Sequence, residues 1–178
     1  MIKKNNIKKI KSKDILLKKI KPGIHLNKYF KWVNCKTVTR FTELKQTVTS
    51  KEDLKKYLES KNNSKNEFLF GIFFKKIYVG NIKIGPINKK LSSAPIGYLI
   101  GEKKYWNKGI ASLAIKKIIV FGFKILKLKS ITSNSETKNL FSAKALIKNN
   151  FKKIKKKTKT TLRDLYFYRI KNPKLLAK

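Results

Sequence analysis

Acidic side chains are scarce in this chain: nine Asp and Glu stand against 46 Lys and Arg, for a net charge of +37. Cysteine is nearly absent. With Cys35 alone no internal disulfide can form, and a reducing compartment, the cytoplasm, is the expected location. His25 is the one histidine, so no zinc constellation of Cys and His can be assembled and no metal is expected. No P-loop sequence occurs. No stretch reaches the ~18 uninterrupted apolar residues of a membrane span; the most apolar window, 110–126, is interrupted by Lys116, Lys117 and Lys124. The opening MIKKNNIKKIKSKD lacks the apolar run of a signal peptide, so no membrane insertion is expected.

Arginine is short as well. Only Arg40, Arg163 and Arg169 are Arg, and the other 43 basic residues are Lys. Specific recognition of phosphates and base edges favours the planar guanidinium. Lys rises here together with Ile and Asn, three residues with A/T-rich codons. Two readings of the charge stay open, a coding bias spread over a solvated surface and a polyanion-binding role. With Lys scattered over every segment, contact with nucleic acid is expected to be non-specific and electrostatic.

What is present argues for a folded globule. The chain has 178 residues, 41% of them hydrophobic, with 11 Phe and 7 Tyr, which is enough for one ordinary domain with a real core. An edge strand is expected at 7–10 and a weak apolar-periodic segment at 14–20, broken by Pro22-Gly23. Leu26, Tyr29, Phe30 and Val33 recur at helical spacing within 25–34. Ser50 followed by Glu52 and Asp53 reads as a capped helix start, running to about Ser60, with a polar loop over 61–66. The runs EFLFGIFF (67–74) and IYVGNIKI (77–84) predict an antiparallel hairpin. A strand is expected at 96–100, a helix at 111–126 with Ala114, Ile118, Phe121 and Ile125 inward, and a short strand at 129–133. A second helix is expected over 138–149, with Leu140, Ala143, Leu146 and Ile147 inward and Asn150 in the left-handed position after it. A Lys-rich hairpin follows, its last strand at 165–170, then a frayed basic tail at 171–178. The order predicts an α/β domain around a mixed, largely antiparallel sheet.

The chain is organised around APIGYLIGEKKYWNKGIAS (94–112), a strand feeding a loop that opens into a helix. Such a junction gathers free backbone N–H groups at the positive end of a helix, a ready site for phosphate. Within it, Tyr105-Trp106-Asn107-Lys108-Gly109-Ile110-Ala111-Ser112 resembles the acetyl-CoA-binding loop of the GNAT acetyltransferase superfamily. The similarity is to the branch of ribosomal-protein N-terminal (alanine) acetyltransferases and their sugar-modifying relatives. Asn139-x-x-Ser142 followed by Leu146-x-Lys148-x-Asn150-Phe151 matches that branch's second signature. The likeness extends to Tyr29-x-Lys31-Trp32-Val33-Asn34, Gly80-Asn81-Ile82, Ile96-Gly97-Tyr98 and the closing Arg163-Asp164-x-Tyr166-x-Tyr168.

The resemblance implies a single N-acetyltransferase domain over 1–170, with a largely antiparallel central sheet and about four flanking helices. It implies acetyl-CoA as acetyl donor and a primary amine attacking the thioester directly. Asn107, Lys108, Gly109, Ile110, Ala111 and Ser112 would line the pyrophosphate, with Lys104 and Lys148 as further charges, though each Lys also reads as merely solvated. Tyr98, Leu99 and Ile100 would offer backbone groups to the pantetheine arm and the thioester carbonyl. Asn139 would hold a pantetheine amide or simply cap its helix. Ser142 would donate to the departing thiolate or simply pack. The family usually has Gly where Asn107 sits and often an acid where Pro95 and Ile147 sit. The general base therefore stays open among Glu102, Glu43, Glu67, His25 and Tyr98.

The expected acceptor is a small amine such as an amino sugar, with a protein N-terminus as the alternative and a monomer or dimer as the working form. The cleft flanked by 25–34 and 50–60 is expected to set acceptor specificity. Two other classes stay in view, a basic nucleic-acid-binding module without catalysis and a domain that binds CoA but has lost its chemistry.

Overall fold

Phe68–Phe74 (β3) and Ile77–Ile84 (β4) form the expected hairpin. Its two turn residues, Lys75 and Lys76, both take positive φ (47° and 70°), the backbone of a tight turn whose twist matches the strands. Every β3 residue but the last is buried, because helices cover both faces of the sheet here. The computed structural model describes residues 9–11, 14–42, 50–160 and 163–173.

Ile15–Lys19 (β2) pairs with β3, and Lys9–Lys11 (β1) pairs with β2. The apolar-periodic segment 14–20 is thus a strand, with Ile15 and Leu17 fully buried at a period of two. The edge strand expected at 7–10 overlaps β1 only at its end, and residues 7 and 8 lie outside the described residues. Ser93–Ile100 (β5), Ser130–Glu136 (β6), Lys152–Thr160 (β7) and Arg163–Lys171 (β8) complete one sheet of order β1-β2-β3-β4-β5-β6-β8-β7. Every pairing is antiparallel except β5 with β6. The expected mixed, largely antiparallel sheet is borne out.

Five α-helices lie among the described residues: Leu26–Val33 (α1), Lys36–Thr39 (α2), Lys51–Asn63 (α3), Ile110–Val120 (α4) and Leu140–Ile147 (α5). The one-turn α2 is the addition to the roughly four expected. On one face of the sheet Ile110, Ala114, Ile115 and Ile118 of α4 pack with Ile72, Ile82, Ile84 and Ile96. On the other, Tyr29, Trp32 and Val33 of α1 and Leu54 and Leu58 of α3 pack with Leu69, Phe73, Tyr78 and Leu99. The α3 start is a capping box, with Ser50 Oγ accepting from the Asp53 amide and Asp53 accepting from the Ser50 amide. No helix among the described residues is long and apolar enough to cross a membrane.

Several expected details shift. The long helix stops at Val120 and continues as a π turn over Phe121–Ile125, which rotates Ile125 outward to 49% exposure. Gly122 fits that turn because a Cβ there would come within 2.7 Å of Ile131 Cδ1. On α5 only Leu146 is fully inward; Leu140 and Ile147 are exposed. Asn150 has φ 62°, and the Phe151 amide returns to Leu146 O at 3.2 Å, the left-handed helix end the sequence suggested. Lys171 belongs to β8, and the Asn172 amide bonds Lys129 O at 2.9 Å, so the tail is anchored at least that far; residues 174–178 lie outside the described residues.

Candidate active site

β5 is shared unequally between its neighbours, and the site follows from that. It pairs with β4 from Ile96 to Ile100, but with β6 only at Ser93, Ala94 and Pro95, opposite Ser130, Ile131 and Thr132. Beyond Pro95 and Thr132 the strands part. Where a ladder ends, the backbone groups that would have crossed it lose their partners. The Gly85 and Gly101 amides bond Pro95 O and Val79 O, each at 2.9 Å, so the odd-numbered residues of β5 turn toward β4. Ile96, Tyr98 and Ile100 therefore turn into the opening. Ile96 O accepts the Ser133 hydroxyl at 3.2 Å and Ile100 O accepts the Trp106 indole N–H at 2.8 Å. The Tyr98 N–H and C=O and the Ile100 N–H are left without a strand partner. Leu99, expected beside them, turns its backbone to Asn81 and its side chain into the α1/α3 core, so it does not face the opening.

The loop after β5 carries the chain to the α4 N-terminus at the end of this opening. Gly101 lies against the Trp32 indole so closely that a Cβ would fall inside the ring. Asn107 and Gly109 take positive φ (59° and 75°), and a Cβ on Gly109 would meet only open space. Asn tolerates that conformation better than most residues, so the positive φ at 107 does not require Gly. The first α4 amide to bond a carbonyl is that of Leu113, on Gly109 O at 3.0 Å. The N–H groups of Gly109, Ile110, Ala111 and Ser112 have no acceptor among the described residues, so they remain for an anion. Lys104, Asn107 and Lys108 are exposed around them, and both ammonium groups hover over the Tyr105 ring, at 5.4 and 6.0 Å.

The α5 N-terminus closes the other side. Asn139 caps it, its Oδ1 accepting the Ser142 amide at 3.1 Å, so the cap reading of Asn139 holds while its side-chain N–H groups have no partner among the described residues. Ser142 Oγ lies 2.7 Å from the Tyr98 hydroxyl, which also reaches Ser142 O at 3.3 Å. Burial pushes the Tyr98 phenol up to about 12, with the Ser142 hydrogen bond opposing. Near neutral pH the phenol keeps its proton and can donate it to Ser142 O. Asn149, which the sequence reading passed over, donates from Nδ2 to Ser112 O at 3.1 Å and Oγ at 2.9 Å. That contact ties the segment just past α5 to the first turn of α4 and puts exposed Lys148 next to it in sequence.

The acids are mostly engaged elsewhere. Glu102 pairs with Lys28 at 3.2 Å. Glu67 is bridged by Lys61 and Lys83; burial raises its pKa, but the two ammonium groups outweigh that and hold the carboxyl below its ordinary value. His25 is wedged against the rings of Phe73 and Tyr78, and burial lowers its pKa. Glu43 lies outside the described residues. Pro95 is exposed at the point of parting, beside Thr132. A small open cleft there, about 120 Å³, is lined by Pro95, Ile96, Thr132, Ser133, Asn134 and Phe167. Glu136, at the far end of β6, is the one described acid on either strand of the opening, and sequence reasoning missed it. Among the described residues no cluster of three or more His, Cys, Asp or Glu could hold a metal.

Known proteins share this fold. A family model described as acetyltransferase (GNAT) domain matches residues 14–152. The N-acetyltransferase p20 of Bacillus licheniformis is 34% identical over 95 residues, 51% of this chain and 53% of that protein, so the chain spans about half the length of this curated relative. A spermidine N-acetyltransferase from Vibrio cholerae, solved with CoA and spermine, superposes with a TM-score of 0.81 at 18% identity, covering 93% of this chain and 99% of that one. A ribosomal alpha-N-protein acetyltransferase in complex with coenzyme A gives 0.81 at 16% identity, covering 92% and 98%. At those identities the two structures speak for the fold.

Proposed function

The chain belongs to the acetyltransferase (GNAT) domain family, and on that footing we propose that it transfers the acetyl group of acetyl-CoA to a primary amine by direct attack on the thioester. The observation that carries the reading is the Tyr98–Ser142 hydroxyl pair beside the unpaired Tyr98 amide, in the opening that leads to the free α4 amides. In this reading the amides of Gly109, Ile110, Ala111 and Ser112 hold the pyrophosphate, with Asn107, Lys104, Lys108 and Lys148 around it. The Tyr98 and Ile100 backbone and the Asn139 amide orient the pantetheine arm. As the amine nitrogen bonds the carbonyl carbon, charge builds on the carbonyl oxygen, and the Tyr98 N–H is placed to receive it. The C–S bond then breaks, and the Ser142 hydroxyl, beside Tyr98, donates a hydrogen bond to the departing thiolate, which takes its proton from solvent.

The ammonium proton needs little help to leave. A field of net charge +37 disfavours a further cation, so the acceptor amine loses its proton more readily than in water. Loss to solvent through the open cleft replaces the carboxylate that Pro95 removes. A small amine such as an amino sugar is the proposed acceptor, in the cytoplasm. The cleft is small and open, and Trp32 of α1 packs with Leu99 of β5 in the adjoining core. A protein N-terminus is the second reading; the ribosomal alpha-N-protein acetyltransferase among the structural neighbours favours it. Thiol release from acetyl-CoA, measured against amino sugars and Ala-initiated peptides, tests both. Turnover confined to peptides selects the second, and an absence of acetyl-CoA binding by calorimetry removes both.

A further inference from the structure

Beside the cleft, on the open face of the sheet, two cations stand opposite each other. Lys152 on β7 pairs with Arg169 on β8, Arg169 with Thr132 on β6, and Thr132 with Pro95 on β5. Directly paired residues point to the same face, so these four form one rung. The neighbouring rung on that face is Ile154, Phe167 and Asn134, and past Asn134 β5 has parted from β6. Lys152, Arg169, Asn134 and Pro95 are exposed, and Pro95, Thr132, Asn134 and Phe167 line the cleft itself.

Like charges directly opposite on neighbouring strands destabilise a sheet. Among the described residues neither Lys152 nor Arg169 has an acid partner; the described ion pairs involve Lys28, Lys61 and Lys83. Residue type adds a second observation, for 43 of the 46 basic residues are Lys. Of the three Arg, Arg40 lies over the Phe41 ring at 4.3 Å, the Arg163 side chain lies outside the described residues, and Arg169 stands at the cleft. A guanidinium fork grips a phosphate in two places where an ammonium makes a point contact.

We infer that Arg169 and Lys152 bind a phosphate group carried by the amine acceptor, whose amino group reaches the β5/β6 opening. The inference rests on the acetyl transfer proposed above and names the class of its acceptor. Strands lie about 4.8 Å apart, so the two spacings from β5 to β8 put Arg169 about 10 Å from Pro95 along the sheet. With the reach of an Arg side chain subtracted, amine and phosphate should lie on the order of 5–10 Å apart. A phosphorylated amino sugar has that span. A polyamine would meet the Lys152–Arg169 pair, while Glu67 and Glu102 are already paired with lysines.

The test compares glucosamine 6-phosphate, glucosamine and spermidine on the unsubstituted protein, Arg169→Ala, Arg169→Glu and the control Lys116→Glu, exposed on α4. Turnover with acetyl-CoA and calorimetric binding of each amine are read side by side. The phosphorylated sugar should lead glucosamine in kcat/KM by about tenfold or more, as expected for a charge-assisted contact. Arg169→Ala should erase that lead through KM and Arg169→Glu should reverse it, with acetyl-CoA affinity and glucosamine turnover unchanged and Lys116→Glu silent. Equal losses on both sugars, a preference for spermidine, or a Lys116→Glu effect of similar size would overturn the inference. Binding separates it from its premise. Phosphosugar binding that Arg169→Glu abolishes, without turnover, sinks acetyl transfer and keeps the anion site. Turnover with binding indifferent to Arg169 does the opposite.

Discussion

Tyr98→Phe removes one oxygen from the site and leaves the ring in its packing. The phenol titrates at about 12, so at pH 7 only roughly one molecule in 100,000 carries the phenolate. The O–H therefore stays protonated; it donates to Ser142 O at 3.3 Å and shares a 2.7 Å hydrogen bond with Ser142 Oγ in which either hydroxyl can be the donor. In the proposed reaction the Ser142 hydroxyl turns its proton to the departing thiolate while the Tyr98 O–H donates to it. A donor aligned on a developing thiolate acts on the transition state more than on bound substrate. Ser142→Ala should lower kcat by roughly ten- to a thousandfold with little change in acetyl-CoA affinity. Tyr98→Phe should lower kcat by about tenfold, near 1.4 kcal/mol, because it acts through Ser142. It should cost about 1 kcal/mol of stability for the lost hydrogen bond. The decisive measurement is the double variant. If Tyr98 works through Ser142, the double falls no further than Ser142→Ala, a coupling of about 1.4 kcal/mol. Thiol release under conditions where chemistry limits turnover, with calorimetry for acetyl-CoA, reads every term. Rate losses that multiply in the double variant, or full kcat in Ser142→Ala, refute the relay.

Four further outcomes are expected. Gly109→Asp should abolish acetyl-CoA binding, because its Cβ points into open space where the phosphate would lie and its carboxylate repels that phosphate; unchanged affinity by calorimetry would move the site elsewhere. Asn139→Asp keeps the oxygen that caps α5 but removes the amide donors, so acetyl-CoA should bind more weakly at an unchanged Tm, whereas Asn139→Ala should also lose about 1 kcal/mol with the cap. Gly101→Ala drives a methyl into the Trp32 indole and should cost about 1–3 kcal/mol by denaturant titration; a neutral outcome would mean α1 shifts freely. Burial holds Tyr57 and Tyr98 at about 12, above the ordinary 10.0, so the fold favours their neutral forms. Their contribution, up to about 3 kcal/mol each, is complete below pH 10 and drains away as pH rises through 12. Lysines lose charge over the same range, so the check is a difference. Tyr98→Phe should lose less stability than the unsubstituted protein on the same rise, and equal losses would contradict the burial argument.

Features set by neighbours in sequence were legible without a structure. The β3/β4 hairpin follows from two β-branched and aromatic runs around Lys75-Lys76, the α3 start from Ser50 and Asp53, and the α5 end from Asn150. The strand–loop–helix around Gly109 was readable for the same reason, since a helix start depends on residues a turn apart. So was the family, because its two signatures are local strings, at residues 105–112 and 139–151. Tertiary structure decided whatever depends on register or on contact between distant segments. Five residues of β2 have too short a period to declare themselves, and pairing with β3 makes them a strand. Leu140 and Ile147 are apolar at inward spacing yet exposed, because α5 presents only Leu146 fully to the core. Leu99 sits between two residues that face the opening but turns to β4, since alternation is fixed by the partner strand. Tyr98 and Ser142 lie 44 residues apart and meet only where β5 leaves β6. Arg169 reads in sequence as one more basic residue. The register of three strands brings it beside Lys152 and Thr132 at the cleft, and no local pattern encodes a register, because pairing energy comes from burial shared between segments far apart.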